Sequence, residues 1–268
     1  FDTQEADCLF MDFNHIPFNL RKLKRAYSNW QNGLEGRGWN MLYIENHDHP
    51  RMVSRYGSEK FRTESAKMLA VSYLFLKGTP FIYQGQEIGM SNWYPTDPEM
   101  YEDVQTRWQY FNVGTKRSPE KRLQRLWHGS RDSARTPVQW DDSPNAGFTT
   151  GESTWMDVNP NYTWLNAQQQ EEDPDSILNF YRKAVSLRKK LSCVRYGEYK
   201  EYYPASDKCY MYSMEDDKQK ILVVCSFSDK KQRFFPPRDF PTDVARLPLC
   251  NYAEPDPKWL QPYECRVY

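Results

Sequence analysis

Short apolar runs alternate with longer helical stripes over the first 190 residues. Residues 7–13, with Cys8-Leu9-Phe10-Met11 at their centre, read as a strand. Asn19 is placed to cap the helix that follows, LRKLKRAYSNWQNGL, in which Leu20, Leu23, Tyr27 and Trp30 recur at helical spacing. Gly33, Gly36 and Gly38 end it. The run Met41-Leu42-Tyr43-Ile44 then has the character of a fully buried parallel strand, predicted over 39–45. It stops at Glu45-Asn46-His47-Asp48, and Pro50 prevents its continuation. Ser58 to Lys77 reads as one long helix with Phe61, Ala66, Met68, Leu69, Tyr73 and Leu76 on its apolar stripe, closed by Gly78. Thr79 to Gln84 is a third strand, and Gly85 to Gly89 the loop beyond it. Strand and helix in alternation predict a parallel sheet, although three strands do not close a barrel and leave bare edges.

Residues 90–170 are polar and rich in Trp, Pro and Asn, with short helices expected at 98–112 and 118–128 and a loop from Arg131 to Asn166. A loop region of that size usually carries function. Asp175 is expected to cap a last helix with Ile177, Leu178, Tyr181, Val185 and Leu187 inward and basic residues in its final turns. After Ser192 short alternating or apolar runs, such as KCYMYSME, KILVVCSFS and YECRVY, predict a small antiparallel β domain. The expected division is 1–192 and 193–268.

Length and charge narrow the picture. The 268 residues suit one large domain or one and a half ordinary ones, and 36 basic residues balance 36 acidic ones. Zero net charge points away from nucleic acid and membrane surfaces, and no apolar run is long enough for a membrane span. Aromatic residues reach 16%, which suits both stacking on flat hydroxylated ligands and ordinary packing. Six scattered cysteines without a CxxC pair suggest a reduced, cytoplasmic protein and no zinc site, although five of them lie after Ser192, which leaves a disulfide in that tail open. No secretion signal is read at the first residues.

The candidate chemistry sits where the second strand ends. Polar residues at the C-terminal end of a barrel strand face the active site. Asp48 beside His47 offers a carboxylate for a developing positive charge and an imidazole for a sugar hydroxyl; the plainer reading makes Asn46, His47 and Asp48 turn formers. His47 and His49 also form an HxH pair, but the remaining histidines, His15 and His128, lack a metal-site context.

The motifs IENHDHPR, SRYG, ESAKMLA, GTPFIYQGQEIGM, RDSARTPVQWDDSPNAGFTTG and VNPNY, in that order, resemble the α-amylase superfamily of glycoside hydrolases, and within it the oligo-1,6-glucosidase and α-glucosidase branch. The resemblance covers residues 39 to about 190 and implies an α/β fold. It would be the C-terminal portion of a (β/α)₈ TIM barrel, strands six to eight, followed by a small antiparallel β-sandwich domain. It implies a retaining mechanism in which Asp48 steadies the sugar ring as it becomes oxocarbenium-like and His47 hydrogen-bonds the same sugar. Arg135 matches an arginine that closes the pocket around the non-reducing glucose, with Arg131 its competitor. Arg51 would line the pocket mouth or anchor the loop. Glu87 and Gln86 would touch the outgoing sugar, Asn46 would support His47, and Trp93, Tyr94, Trp140 and Phe148 are candidates for stacking.

The nucleophile and the acid/base of the family have no match here and would lie upstream. The chain is therefore expected to be the C-terminal half of an α-glucosidase for short α-linked gluco-oligosaccharides. Alone it would be inactive, with the N-terminal half of the same enzyme as its partner. No cofactor is expected, and any structural calcium would belong upstream. Trehalose-6-phosphate hydrolase and sucrose-acting relatives share the motifs. A non-catalytic interaction homologue, or a bare carbohydrate-binding module, is the alternative of another class; the presence of both His47 and Asp48 weighs against the interaction homologue.

Overall fold

The computed structural model describes Phe13 and residues 17–268. The strand expected at 7–13 therefore lies outside the described residues except for Phe13, which is buried against Trp93, Tyr101, Leu126 and Met156. Helix α1 (Leu20–Gly33) starts as expected, with Asn19 Oδ1 accepting from Lys22 N at 3.2 Å. Leu20, Leu23 and Tyr27 face inward, whereas Trp30 is largely exposed.

The two remaining parallel strands are shorter than their apolar runs. β1 (Met41–Leu42) pairs in parallel with β2 (Thr79–Pro80), with Met41 opposite Thr79. The ladder is continued by bonds from Thr79 N to the Asn40 carbonyl at 2.8 Å and from Phe81 N to the Leu42 carbonyl at 2.7 Å. Each strand has a neighbour on one side only among the described residues, so the flanking peptide groups find no ladder to join. Gly78, at φ +145°, permits the close entry into β2, because a Cβ there would meet the Asn40 carbonyl at 2.5 Å.

Between the strands lie α2 (Met52–Tyr56) and α3 (Arg62–Leu74). The helix expected from Ser58 to Lys77 begins four residues late, because Ser58 makes a turn: its Oγ accepts from Phe61 N at 3.4 Å and its carbonyl accepts from Ser65 Oγ at 3.1 Å. Residues Ser65 to Leu74 are all buried, so α3 has no solvent face. Its C-terminal end is closed by Arg188, which donates to the carbonyls of Leu74, Leu76 and Gly78.

The long polar segment carries α4 (Val104–Phe111), α5 (Pro119–Gly129), the single turn α6 (Asp132–Arg135) and α7 (Ala167–Glu172). Helix α8 (Ile177–Lys190) is capped by Ser176, whose Oγ accepts from Asn179 N at 3.1 Å. The expected cap, Asp175, instead holds its carboxylate in solvent. After α9 (Cys193–Tyr196) come β3 (Glu198–Tyr202), β4 (Cys209–Glu215), β5 (Lys220–Ser226), β6 (Gln232–Arg233), β7 (Leu249–Cys250), β8 (Trp259–Leu260) and β9 (Cys265–Val267). One antiparallel sheet has the order β3-β4-β5-β9-β7, and β6 pairs separately with β8.

One face of that sheet, with Tyr210, Tyr212, Val223 and Cys225, joins the same core as Leu69, Val71 and Phe180. The other face, with Met211, Leu222 and Val224, packs under Phe234, Phe240 and Leu260. The second layer of the expected sandwich is thus the two-stranded β6–β8 ribbon and the loops around it. The main core runs across the change of pattern near residue 193, while a second, smaller core belongs to the later residues alone.

Candidate active site

The polar loop after β1 is closed at its base by a buried ion pair. Glu45 Oε1 lies 2.7 Å from Arg51 Nη1, and neither side chain has any exposure. Glu45 Oε2 accepts from Met52 N at 2.8 Å. Arg51 also donates from Nη1 to the Gln84 carbonyl at 2.8 Å and from Nε to the Ser133 carbonyl at 3.1 Å. Burial pushes the Glu45 carboxyl up, and Arg51 and the Met52 amide oppose that shift. Arg51 therefore ties the loop to the turn that follows β2 and to α6, and its side chain is fully buried.

Within the loop, Asn46 Oδ1 accepts from Asp48 N at 2.8 Å, so Asn46 supports Asp48 rather than His47. Asp48 is about one-third exposed, and its Oδ1 takes both cations of α6 and the residue before it. Arg131 Nη1 lies at 3.2 Å and Arg135 Nη2 at 3.1 Å. Its Oδ2 faces His47 Nε2 at 3.3 Å, and the His47 ring is 68% exposed. Arg135 Nε donates to the His47 carbonyl at 3.0 Å, so one guanidinium holds both residues of the pair.

A second acid completes the network. Asp103 Oδ1 accepts from Arg131 Nε at 3.1 Å and lies 3.5 Å from Arg135 Nη1. Its Oδ2 accepts from Thr106 N and Thr106 Oγ1, each at 2.8 Å. Burial pushes Asp103 up, but the bonds from Arg131 and Thr106 outweigh it and leave the carboxyl below its ordinary value. Asp132 fixes this acid from behind, with Oδ2 accepting from Glu102 N at 2.9 Å and Asp103 N at 3.0 Å. The result is a chain of alternating charge, from Asp103 through two arginines to Asp48, with Asp48 Oδ2 at its outer end.

The other candidates disperse. His49 is buried and His47 exposed, so the two do not share a ligand position. Desolvation, aided by Arg55, lowers His49 to about 4. Gln86 is buried and donates to the hydroxyls of Tyr73 and Tyr181, both at 2.9 Å, which holds its turn in place. Glu87 lines a groove with Ile82 and with Leu178, Tyr181 and Val185 of α8, where none of the Asp48 network lies. Trp93 is buried against Tyr101, while Tyr94, Trp140 and Phe148 stay about half exposed. Among the described residues no group of three or more His, Cys, Asp or Glu side chains could hold a metal ion.

Asp103 and Asp132 escaped the reading of the sequence. Asp103 precedes Thr106 as any helix cap would, and nothing local tells that its other oxygen reaches two arginines almost thirty residues away or more.

Residues 2–197 match the family described as alpha amylase, catalytic domain. The chain belongs to the α-amylase family. An oligo-1,6-glucosidase of Parageobacillus thermoglucosidasius is 40% identical over 260 residues, which are 94% of this chain and 46% of that protein. The crystal structure of Bacillus licheniformis trehalose-6-phosphate hydrolase superimposes with a TM-score of 0.92 at 36% identity, over 98% of this chain and 49% of that one. Trehalulose synthase MutB from Pseudomonas mesoacidophila MX-45 gives 0.89 at 33%, over 99% and 49%. This α-amylase family chain thus spans about half the length of the relatives it matches, and the fold they share is that of a TIM-barrel family with a β-sheet region at the C-terminal end.

Proposed function

We propose that the chain supplies the C-terminal part of a retaining α-glucosidase acting on short α-linked gluco-oligosaccharides. In this reading β1 and β2 are barrel strands seven and eight. Asp48 meets the ring as charge develops at the anomeric carbon, and His47 hydrogen-bonds a hydroxyl of the same ring. The observation that carries the reading is the one-sided seating of Asp48. Both arginines occupy Oδ1, while Oδ2 is left with the exposed His47. A carboxylate fixed in this way needs little reorganisation when a cationic ring forms in front of it.

Arg135 positions both Asp48 and His47, and Arg51 anchors the loop, so neither needs to touch sugar to serve it. Glu87 is assigned to holding the groove under α8. The nucleophile and the acid/base, which a retaining site needs about 5 Å apart, are assigned to the upstream half of the same enzyme. The exposed Met41, Phe81 and Ile82 beside the short parallel sheet support that partner. No cofactor is assigned to this half. A reducing, cytoplasmic setting is part of the proposal and rests on the scattered cysteines; no helix among the described residues is long and apolar enough to cross a membrane.

The test is Asp48→Asn in the complete enzyme, assayed on isomaltose-type and trehalose-6-phosphate substrates side by side. The expected result is a fall in kcat of about 100-fold or more with little change in KM. A loss confined to KM would remove Asp48 from the reacting ring. Faster turnover of trehalose-6-phosphate would move the substrate assignment to the relative with the TM-score of 0.92.

A further inference from the structure

A cavity of about 560 Å³ opens in the β region, lined only by residues of the 203–211, 232–235 and 260 segments. Its floor is apolar: Met211, Phe234 and Leu260 are almost fully buried members of the second core. Its walls are Tyr203 and Phe235, which are 46% and 59% exposed. Two cations line it, Lys208 and Arg233, and no carboxylate does. The Arg233 guanidinium stands 5.5 Å from the centre of the Phe235 ring.

The wall formed by residues 203–209 is built in advance of any ligand. Lys24 on α1, 1% exposed, sends its ammonium to the carbonyls of Tyr203 at 2.7 Å, Ser206 at 3.1 Å and Cys209 at 3.4 Å. Tyr203 itself holds φ +52°, a conformation that a non-glycine residue keeps only where its surroundings impose it. The uncharged polar side chains at the rim are already engaged. Ser206 Oγ accepts from the Lys208 and Cys209 amides, and Gln232 Nε2 donates to Ser228 Oγ at 2.7 Å. A pyranose, which needs hydrogen bonds all round its edge, would find few here.

We propose that this cavity binds a small amphipathic anion. A flat or short-chain apolar body lies on the Met211–Phe234–Leu260 floor between the two exposed rings. A single carboxylate or sulfonate head is met by Lys208 and Arg233. The volume is that of a small-molecule site, and the prefixed wall lowers the ordering cost of binding. The site is independent of the glucosidase reading, because none of its residues belongs to the Asp48 network.

The test uses the full-length protein with 8-anilinonaphthalene-1-sulfonate as the probe and uncharged N-phenyl-1-naphthylamine as its control, both followed by fluorescence. One saturable sulfonate site is expected, with the neutral probe bound about tenfold more weakly. Lys208→Glu and Arg233→Glu should each weaken the sulfonate about tenfold and leave glucoside hydrolysis and Tm unchanged. Phe235→Ala should weaken both probes. If a charge reversal disturbs folding, Lys208→Gln and a salt titration of the parent protein read the same electrostatic contribution. Equal binding of the two probes, or sulfonate binding indifferent to the cations and to salt, would overturn the proposal.

Discussion

Both guanidinium groups meet Asp48 at one oxygen, and this fixes what each can contribute. Arg131 shares its fork between Asp103 and Asp48, whereas Arg135 also reaches the His47 carbonyl. Arg135→Lys keeps the charge but cannot hold a carboxylate and a carbonyl together. It is expected to lower kcat/KM of the complete enzyme by about tenfold or more, with most of the loss in kcat, measured by steady-state hydrolysis. An unchanged kcat would show that Arg135 only binds. His49 supplies a separate, pH-linked effect. Its folded value of about 4 lies below the unfolded value of about 6.5. Its contribution is therefore complete above pH 6.5 and is lost progressively as the pH falls toward 4, by an amount on the order of 3 kcal/mol at most. His49→Asn should flatten that acid limb in a series of thermal melts. A limb that keeps its slope would assign the titration to another group. His47 and Asp48 were legible as a pair because they end an apolar run. Asp103 was not, because its partner arginines are brought to it only by tertiary folding.

The loop from Glu45 to Arg51 behaves as a closed unit, and its closure is an ion pair without exposure. Removing one member leaves the other charged and buried, so Arg51→Met is expected to cost about 3–5 kcal/mol of stability. Adding Glu45→Gln to it should return part of that loss, because the pair is coupled. Urea unfolding of the two single variants and the double variant measures this, and strict additivity would refute the clamp. The positions of the elements were legible from apolar rhythm, but several of their ends were not. Ser58 ends its own segment by bonding to Phe61 and Ser65, and Ser176 replaces Asp175 as a cap. Such choices between adjacent polar residues are made by side-chain geometry, which the alternation of apolar and polar positions does not encode.

At the scale of the molecule, the helices and the antiparallel sheet share one apolar core, so the β region acts as a wall of the catalytic fold. The side of the parallel sheet without a neighbour among the described residues is different. Met41, Phe81 and Ile82 are 54%, 47% and 39% exposed there, and among the described residues the two strands leave their outer peptide groups unladdered. Apolar side chains beside open strand edges promote association with whatever can pair with them. Residues 1–268 expressed alone are therefore expected to form oligomers or aggregates and to show no glucoside hydrolysis. Co-expression with the upstream half should instead give a one-to-one complex with restored turnover. Light scattering on a sizing column distinguishes these outcomes, and Phe81→Lys with Ile82→Lys should reduce self-association while blocking the complex. A monodisperse, cooperatively folding monomer would mean that the exposed strand edge needs no partner.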